Sequence, residues 1–314
     1  MAKTGPAASE SRERGRGRIP GGAPGQPAFA LTLRNPSPVP VLLAVPHSGR
    51  VYPDSLVEAM RDPAAAALRL EDRFVDLLAE ALARETGAGL LVAHAPRAMI
   101  DLNRAADDVD WDMVAGGMPE RAARQAAGRR ARSGLGLVPR RLPGMGEVWR
   151  RRMTEAELAE RIDKVHKPYH AALAAGLETL RDRWGAALLI DLHSMPPLGS
   201  RGGAEAAAMF VVGDRFGASS GGALTAAALD HFACAGWKAA HNRPYAGGYV
   251  LDRHGAPARG LHALQVEVCR SAYLDAHLRE PGPGLAAVAR VLSGLVRRMA
   301  EELAGGRSMP QAAE

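Results

Sequence analysis

Cysteine is nearly absent from this chain of 314 residues, with only Cys234 and Cys269 present. Two thiols cannot make a disulfide framework, so the plain reading is a reduced, cytoplasmic protein. Both lie in apolar segments and read as small buried hydrophobes. Aromatic residues are also scarce, at 4% against a hydrophobic fraction of 47%. Alanine, leucine and valine must therefore supply most of the core, and the chain is long enough to bury one without a structural metal. No apolar run approaches the roughly 18 residues of a membrane span. Arg12, Arg14, Arg16 and Arg18 precede no apolar stretch, so the N-terminus does not read as a secretory signal. Residues 1–28, rich in Gly, Pro, Ala and Arg, are expected to form a disordered tail, and residues 306–314 a disordered C-terminus.

The net charge of +6 and a pI near 9.7 raise nucleic acid as a partner, but the charge is unevenly placed. Residues 1–28 carry +3 and residues 121–152, with ten arginines against Glu147, carry +9, which leaves the remainder at −6. The basic stretch lacks the interleaved aromatics of a nucleic-acid platform. It reads instead as a solvated face or as a funnel for an anionic substrate. A non-catalytic RNA-binding protein, which would show strongly salt-dependent affinity, stays as a rival reading only.

What is present is an alternation of strand and helix patterns. Val41–Val45 predicts a buried strand ending at Pro46-His47-Ser48-Gly49. Phe74, Leu77, Leu78, Ala81 and Leu82 recur at helical spacing over residues 71–85. Leu90–Ala93 predicts a strand, and residues 105–152 a long basic excursion from the core. Thr154 and Glu157 predict a capping box opening a helix toward Trp184, kinked at Pro168. Ala187–Leu192, Met209–Val212 and Leu264–Val268 read as strands, and residues 221–235 and 285–304 as helices. The alternation predicts one α/β domain over residues 29–305, built on a largely parallel sheet. Ligands of such sheets collect beyond the carboxyl ends of the strands.

The chemistry-bearing residues fall at those ends. His47 and His193 each close an apolar strand and each precede a serine, which points to a shared metal. Imidazole suits zinc, with a carboxylate as the usual third ligand. Asp72 or Glu71, at the opening of the next helix, can supply it, although acids also favour helix N-termini for dipole reasons alone. Glu267, an acid inside Leu264–Val268, is either a general base for an attacking water or an ion-pair partner of Arg270. Arg97, Asp101 and Arg104 lie close together, so Arg104 either grips a substrate carboxylate or pairs with Asp101. Pro244–Tyr249 is a flexible loop whose Tyr245, Gly248 and Tyr249 are candidates for covering a pocket. Gly217-Ala218-Ser219-Ser220-Gly221 matches a nucleophile elbow, with Asp252 and His262 following in serine-hydrolase order. That is the rival enzyme reading; no HGGG oxyanion loop accompanies it, and it leaves His47, His193 and Glu267 idle.

Taken in order, PHSGRVYP (46–53), EDRFVD (71–76), PRAMIDLNR (96–104), GLGLVPR (134–140), KPYHAAL (167–173), LIDLHSMPP (189–197), GDRFG (213–217), NRPYAGGYV (242–250) and ALQVEVCRSAYLD (263–275) resemble the N-formylglutamate amidohydrolase family. The resemblance covers about residues 40–280 and rests on the order and number of these motifs. It implies a three-layer α/β/α sandwich around a mixed, largely parallel sheet, related to zinc carboxypeptidases. It also implies one zinc ion on His47 and His193, Glu267 as the base, and recognition of carboxylate by Asn103 and Arg104, with Arg97 beside them. The implied reaction is hydrolysis of N-formyl-L-glutamate, a small acidic N-acyl amino acid, to formate and L-glutamate in histidine degradation. One departure stands out. The carboxypeptidases take a glutamate three residues after the first histidine, where this chain has Arg50, so Asp72 is the first choice for the carboxylate ligand and Glu71 the second.

Overall fold

The computed structural model of the chain describes residues 9–14, 17–120, 128–199 and 207–305. Its branched apolar runs form strands and its Ala/Leu-rich amphipathic segments form helices. In chain order these are β1 (Ser9–Arg14), β2 (Phe29–Asn35), β3 (Val41–Val45), α1 (Asp54–Ala59), α2 (Pro63–Leu70), α3 (Val75–Thr86) and β4 (Gly89–Ala93). The excursion holds α4 (Arg129–Arg132) and a small hairpin, β5 (Arg141–Leu142) and β6 (Gly146–Glu147). Then come α5 (Glu155–Arg161), α6 (Lys167–Trp184), β7 (Ala187–Met195), β8 (Phe210–Gly213), α7 (Gly222–Cys234) and β9 (Ala239–His241). The chain closes with α8 (Tyr249–His254), β10 (Leu261–Cys269) and α9 (Leu285–Gly305).

Eight strands form one mixed sheet in the order β1-β2-β4-β3-β7-β10-β8-β9. Its centre, β4-β3-β7-β10, is parallel, while β1, β2 and β8 join antiparallel. Side chains alternate across a strand, so each central strand feeds two cores. Leu42, Ala44, Leu189 and Ala263 pack on one face with Tyr169, Leu173 and Leu177 of α6. Val41, Leu43, Ile190, Leu264 and Val266 pack on the other with residues of α3, α7 and α9. The expected α/β/α layering is therefore present.

Five expectations need correction. Part of the supposed N-terminal tail is ordered: β1 pairs with the edge strand β2, and Ile19 and Ala28 are buried in the core. Composition registers poor side chains but not the backbone pairing that an open sheet edge offers. The helix expected from residue 71 begins at Val75, because α2 ends at Leu70 and Phe74 takes a left-handed conformation (φ 59°), leaving Glu71 and Asp72 on a connection. The capping box at Thr154 forms, but the kink expected at Pro168 is replaced by a π-helical turn over Ile162–His166, just ahead of the proline. The Lys164 carbonyl, which the proline leaves without its usual helical donor, accepts from the Arg18 N–H at 3.0 Å. Cys269 is buried as expected, yet Cys234, on the last turn of α7, is exposed. The basic excursion is also less detached than its charge suggests, since Val109, Met113, Leu137, Val148 and Trp149 join the core beneath it. The expected C-terminal tail lies outside the described residues. Among the described residues, no helix is long and apolar enough to cross a membrane.

Candidate active site

Parallel pairing of β7 and β10 sets the register that builds the site. Glu267 pairs with His193 and Gln265 with Asp191, so these four side chains share one face at the carboxyl ends of the two strands. Earlier on that face stand Leu189 and Ala263, which belong to the core. His47 arrives two residues beyond β3, the neighbour of β7. Asp72 is drawn in by its backbone N–H, which donates to the His47 carbonyl at 2.9 Å.

His47, Asp72 and His193 converge with one ligand-type atom each within 4.8 Å of the others, all buried. His193 Nδ1 lies 2.9 Å from Asp72 Oδ2 and 3.2 Å from His47 Nδ1. The outer nitrogens are both anchored: His47 Nε2–H donates to Asp101 Oδ1 at 2.7 Å, and His193 Nε2–H to Asp191 Oδ2 at 2.8 Å. Carboxylates behind the rings fix the tautomer and leave both Nδ1 lone pairs facing inward. Two such lone pairs and a carboxylate this close require a positive charge between them. Burial opposes charge on His193, but Asp191 and Asp72 outweigh it and raise its pKa well above the usual histidine value. Burial likewise opposes ionisation of Asp72, and hydrogen bonds from His193 and His47 hold its pKa well below the carboxylate range. A divalent cation fits the same donor set, which combines imidazole nitrogen with carboxylate oxygen.

Glu71 is turned away. Its carboxylate pairs with Arg73 at 2.9 Å, and burial raises its pKa. Glu267 accepts from Gln265 Nε2 at 2.8 Å, and burial, reinforced by the charges of Asp72 and Asp191, pushes its pKa up to about 7. The Glu267–Arg270 ion pair weighed from the sequence does not form. Arg270 instead donates to Ser194 Oγ at 3.1 Å and to the carbonyls of Leu68 and Glu71, with Asp72 Oδ1 3.5 Å away.

These groups open onto a pocket of about 290 Å³. Arg97, Asn103, Arg104, Tyr245 and Gly248 line it, as the sequence suggested. Arg97, not Arg104, pairs with Asp101, at 2.9 Å. Arg104 donates to the carbonyls of Asn103 (2.7 Å) and Leu135 (3.1 Å). Asn103 Oδ1 accepts from the Val250 N–H at 2.9 Å, and a Cβ at Gly248 would come within 2.4 Å of that oxygen, so only glycine lets the loop sit there. Tyr249 is the misplaced candidate: it begins α8, stacks on His166 with centroids 5.8 Å apart, and does not line this pocket. Gly248 is the extended N-cap of α8, so Tyr249 takes the first helical position.

The serine-hydrolase constellation does not assemble. Ser219 is 2% exposed and its hydroxyl donates to the Ala263 carbonyl at 2.8 Å. His262 Nδ1 accepts from the Gly221 N–H, and Asp252 pairs with Arg215. Sequence reasoning missed the Asp191 anchor and saw Asp101 only as an arginine partner. The signal for Asp191 was legible as an acid two residues before His193 in an apolar strand, hence on the same face. Arg69, Arg130 and Arg270, which also line the pocket, carried no such signal.

Comparison with known proteins points the same way. The sequence model of a family described as N-formylglutamate amidohydrolase matches residues 39–274. The N-formylglutamate deformylase of Pseudomonas aeruginosa is 30% identical over 270 residues, covering 84% of this chain and 92% of that protein. Its counterpart in Pseudomonas putida is 28% identical over 244 residues, covering 76% and 82%. The crystal structure of N-formylglutamate amidohydrolase from Ralstonia eutropha matches with a TM-score of 0.79 and 34% identity, over 89% of this chain and 99% of that one. A gene product of Agrobacterium tumefaciens, at 18% identity and a TM-score of 0.55, is similar in fold.

Proposed function

The chain belongs to the N-formylglutamate amidohydrolase family, hydrolases of a linear amide, and we propose that its pocket cleaves N-formyl-L-glutamate to formate and L-glutamate with the help of one divalent metal ion. The observation that carries this reading is the meeting of His47, Asp72 and His193 with Glu267 in a pocket also lined by arginines. His47, Asp72 and His193 would hold the ion, and imidazole with carboxylate suits zinc. When bound, such an ion supplies Lewis-acid charge for the amide oxygen and lowers the pKa of water toward about 7.

The residues of the chain do the rest. Glu267, whose pKa lies near the working range, takes a proton from the attacking water and returns it to the departing amine nitrogen. Gln265 holds the Glu267 carboxylate by a hydrogen bond to one oxygen, leaving the other for the proton. Arg104, fixed by two carbonyls, and Asn103, fixed by Val250, present a rigid wall for a substrate carboxylate. Arg97 stays on Asp101 and so steadies His47. Tyr245 and Gly248 close the side of the pocket from the loop. With these products the enzyme would act in histidine degradation, as the family resemblance implies. The test is metal analysis of the purified protein together with formate release from a panel of N-acyl amino acids. Bound zinc and preference for N-formyl-L-glutamate are expected; absence of formate from every N-formyl substrate tested would rule the reading out.

A further inference from the structure

Five arginines line the pocket, and their surroundings divide them. Arg97 has both Nε and Nη2 on Asp101 Oδ2. Arg270 is committed to Ser194, to the carbonyls of Leu68 and Glu71, and to the neighbourhood of Asp72. Arg130 comes from α4 in the excursion. Arg104 and Arg69 differ from Arg97 and Arg270. Arg104 donates to two carbonyls and Arg69 to the Pro143 carbonyl, and neither forms an ion pair with a described carboxylate. A guanidinium held only by neutral acceptors keeps its full charge and is pre-oriented for an incoming carboxylate.

An N-acylated acidic amino acid brings two carboxylates. One sits on the carbon that bears the scissile amide, so it must lie beside the reacting groups. Arg104 meets that demand: neighbouring Asn103 donates to Gln265, and Gln265 donates to Glu267. Arg69 enters from the last turn of α2 and is exposed, with its guanidinium tied to the hairpin turn at Pro143. We propose that Arg69 recognises the side-chain carboxylate of the substrate and so makes the enzyme selective for acidic N-acyl amino acids, while Arg104 holds the carboxylate common to all of them. This inference rests on the proposed function. It also gives the basic excursion a task, since Pro143 fixes the fork of Arg69.

The test compares kcat/KM for formate release from N-formyl-L-glutamate and N-formyl-L-glutamine, which differ only in the side-chain carboxylate. Arg69→Gln should lower the value for N-formyl-L-glutamate by about ten- to a hundredfold, the worth of a charge-assisted contact. It should lower the value for N-formyl-L-glutamine far less, because a neutral amide gains much less from the guanidinium than a carboxylate does, and turnover of that substrate reports that the variant is folded. Arg69→Lys, which keeps the charge but not the fork, should fall between. Equal losses on both substrates, or no loss on either, overturn the assignment of Arg69 while the amidohydrolase reading stands. A wild-type protein that releases formate from neither substrate overturns both.

Discussion

The two faces of β7 and β10 begin alike and end differently. On one face Leu188, Ile190, Leu192, Leu264, Val266 and Val268 are apolar and disappear into the core shared with α3, α7 and α9, with Ser194 the one polar residue, at the end of β7. On the other, Leu189 and Ala263 give way after one step to Asp191, His193, Gln265 and Glu267. Both faces are almost fully shielded from solvent, so burial alone does not distinguish them. The difference is how each face meets the cost of burial. The apolar face gains from leaving water, whereas the polar face must compensate every charge with a hydrogen bond or an opposite charge. It does so by drawing in His47, Asp72 and Asp101 from elsewhere in the chain.

Substitutions on the two faces should therefore fail in different ways. The largest effect is expected for His193→Ala, which removes one of the three proposed ligands. Bound metal, measured by elemental analysis, should fall to background and formate release with it. In the intact protein the same residue sets the pH response. Because Asp191 and Asp72 raise the pKa of His193, a proton on that ring competes with a metal ion, and binding of zinc should release protons. Affinity should then weaken as pH falls, and calorimetry in two buffers of different ionisation enthalpy checks the proton release. Undiminished zinc in the His193→Ala protein would sink the metal proposal.

Glu267→Gln comes next. The amide keeps the shape and the contact with Gln265 but cannot take a proton, so turnover should drop by about 10²–10⁴-fold with metal content retained. Near-normal turnover would reduce Glu267 to a structural role. Asp191→Asn should be milder, weakening metal affinity by roughly 10–100-fold through loss of the anchor behind His193, as chelator competition would show. An unchanged affinity would mean that strand packing alone orients the ring. The smallest effect belongs to the apolar face. Ile190→Val, one residue from Asp191 but pointing the other way, should cost about 0.5–1.5 kcal/mol in denaturant unfolding and leave kcat unchanged. A loss of turnover there would show that the two faces are not independent.

Much of this was visible before any fold was built. Strand-terminal histidines and an acid embedded in an apolar strand are expensive features, and that expense marks them as purposeful in a single sequence. Asp72 could be shortlisted with Glu71, but the choice between them depends on a chain reversal at Phe74 that helical periodicity conceals. The arginines were the least legible. Arg97, Arg104, Arg69 and Arg270 are chemically identical in the sequence, and only their partners separate a structural clamp from a cation left available for substrate. The Ser219 motif shows the opposite failure. Its spacing is right, yet its hydroxyl is taken by a backbone carbonyl 44 residues away in sequence.

By itself the sequence determined the central strands β3, β4, β7, β8 and β10, the longer helices, the layered fold and the residue types of the site, because periodicity, capping and the cost of burying charge are local properties. The tertiary structure decided who partners whom. Asp101 behind His47, Asp191 behind His193, Glu71 facing away and Arg270 passing by Glu267 all follow from register and loop direction. Hydrogen bonds and ion pairs act over a few ångströms, and a chain becomes specific at that range only after it has folded.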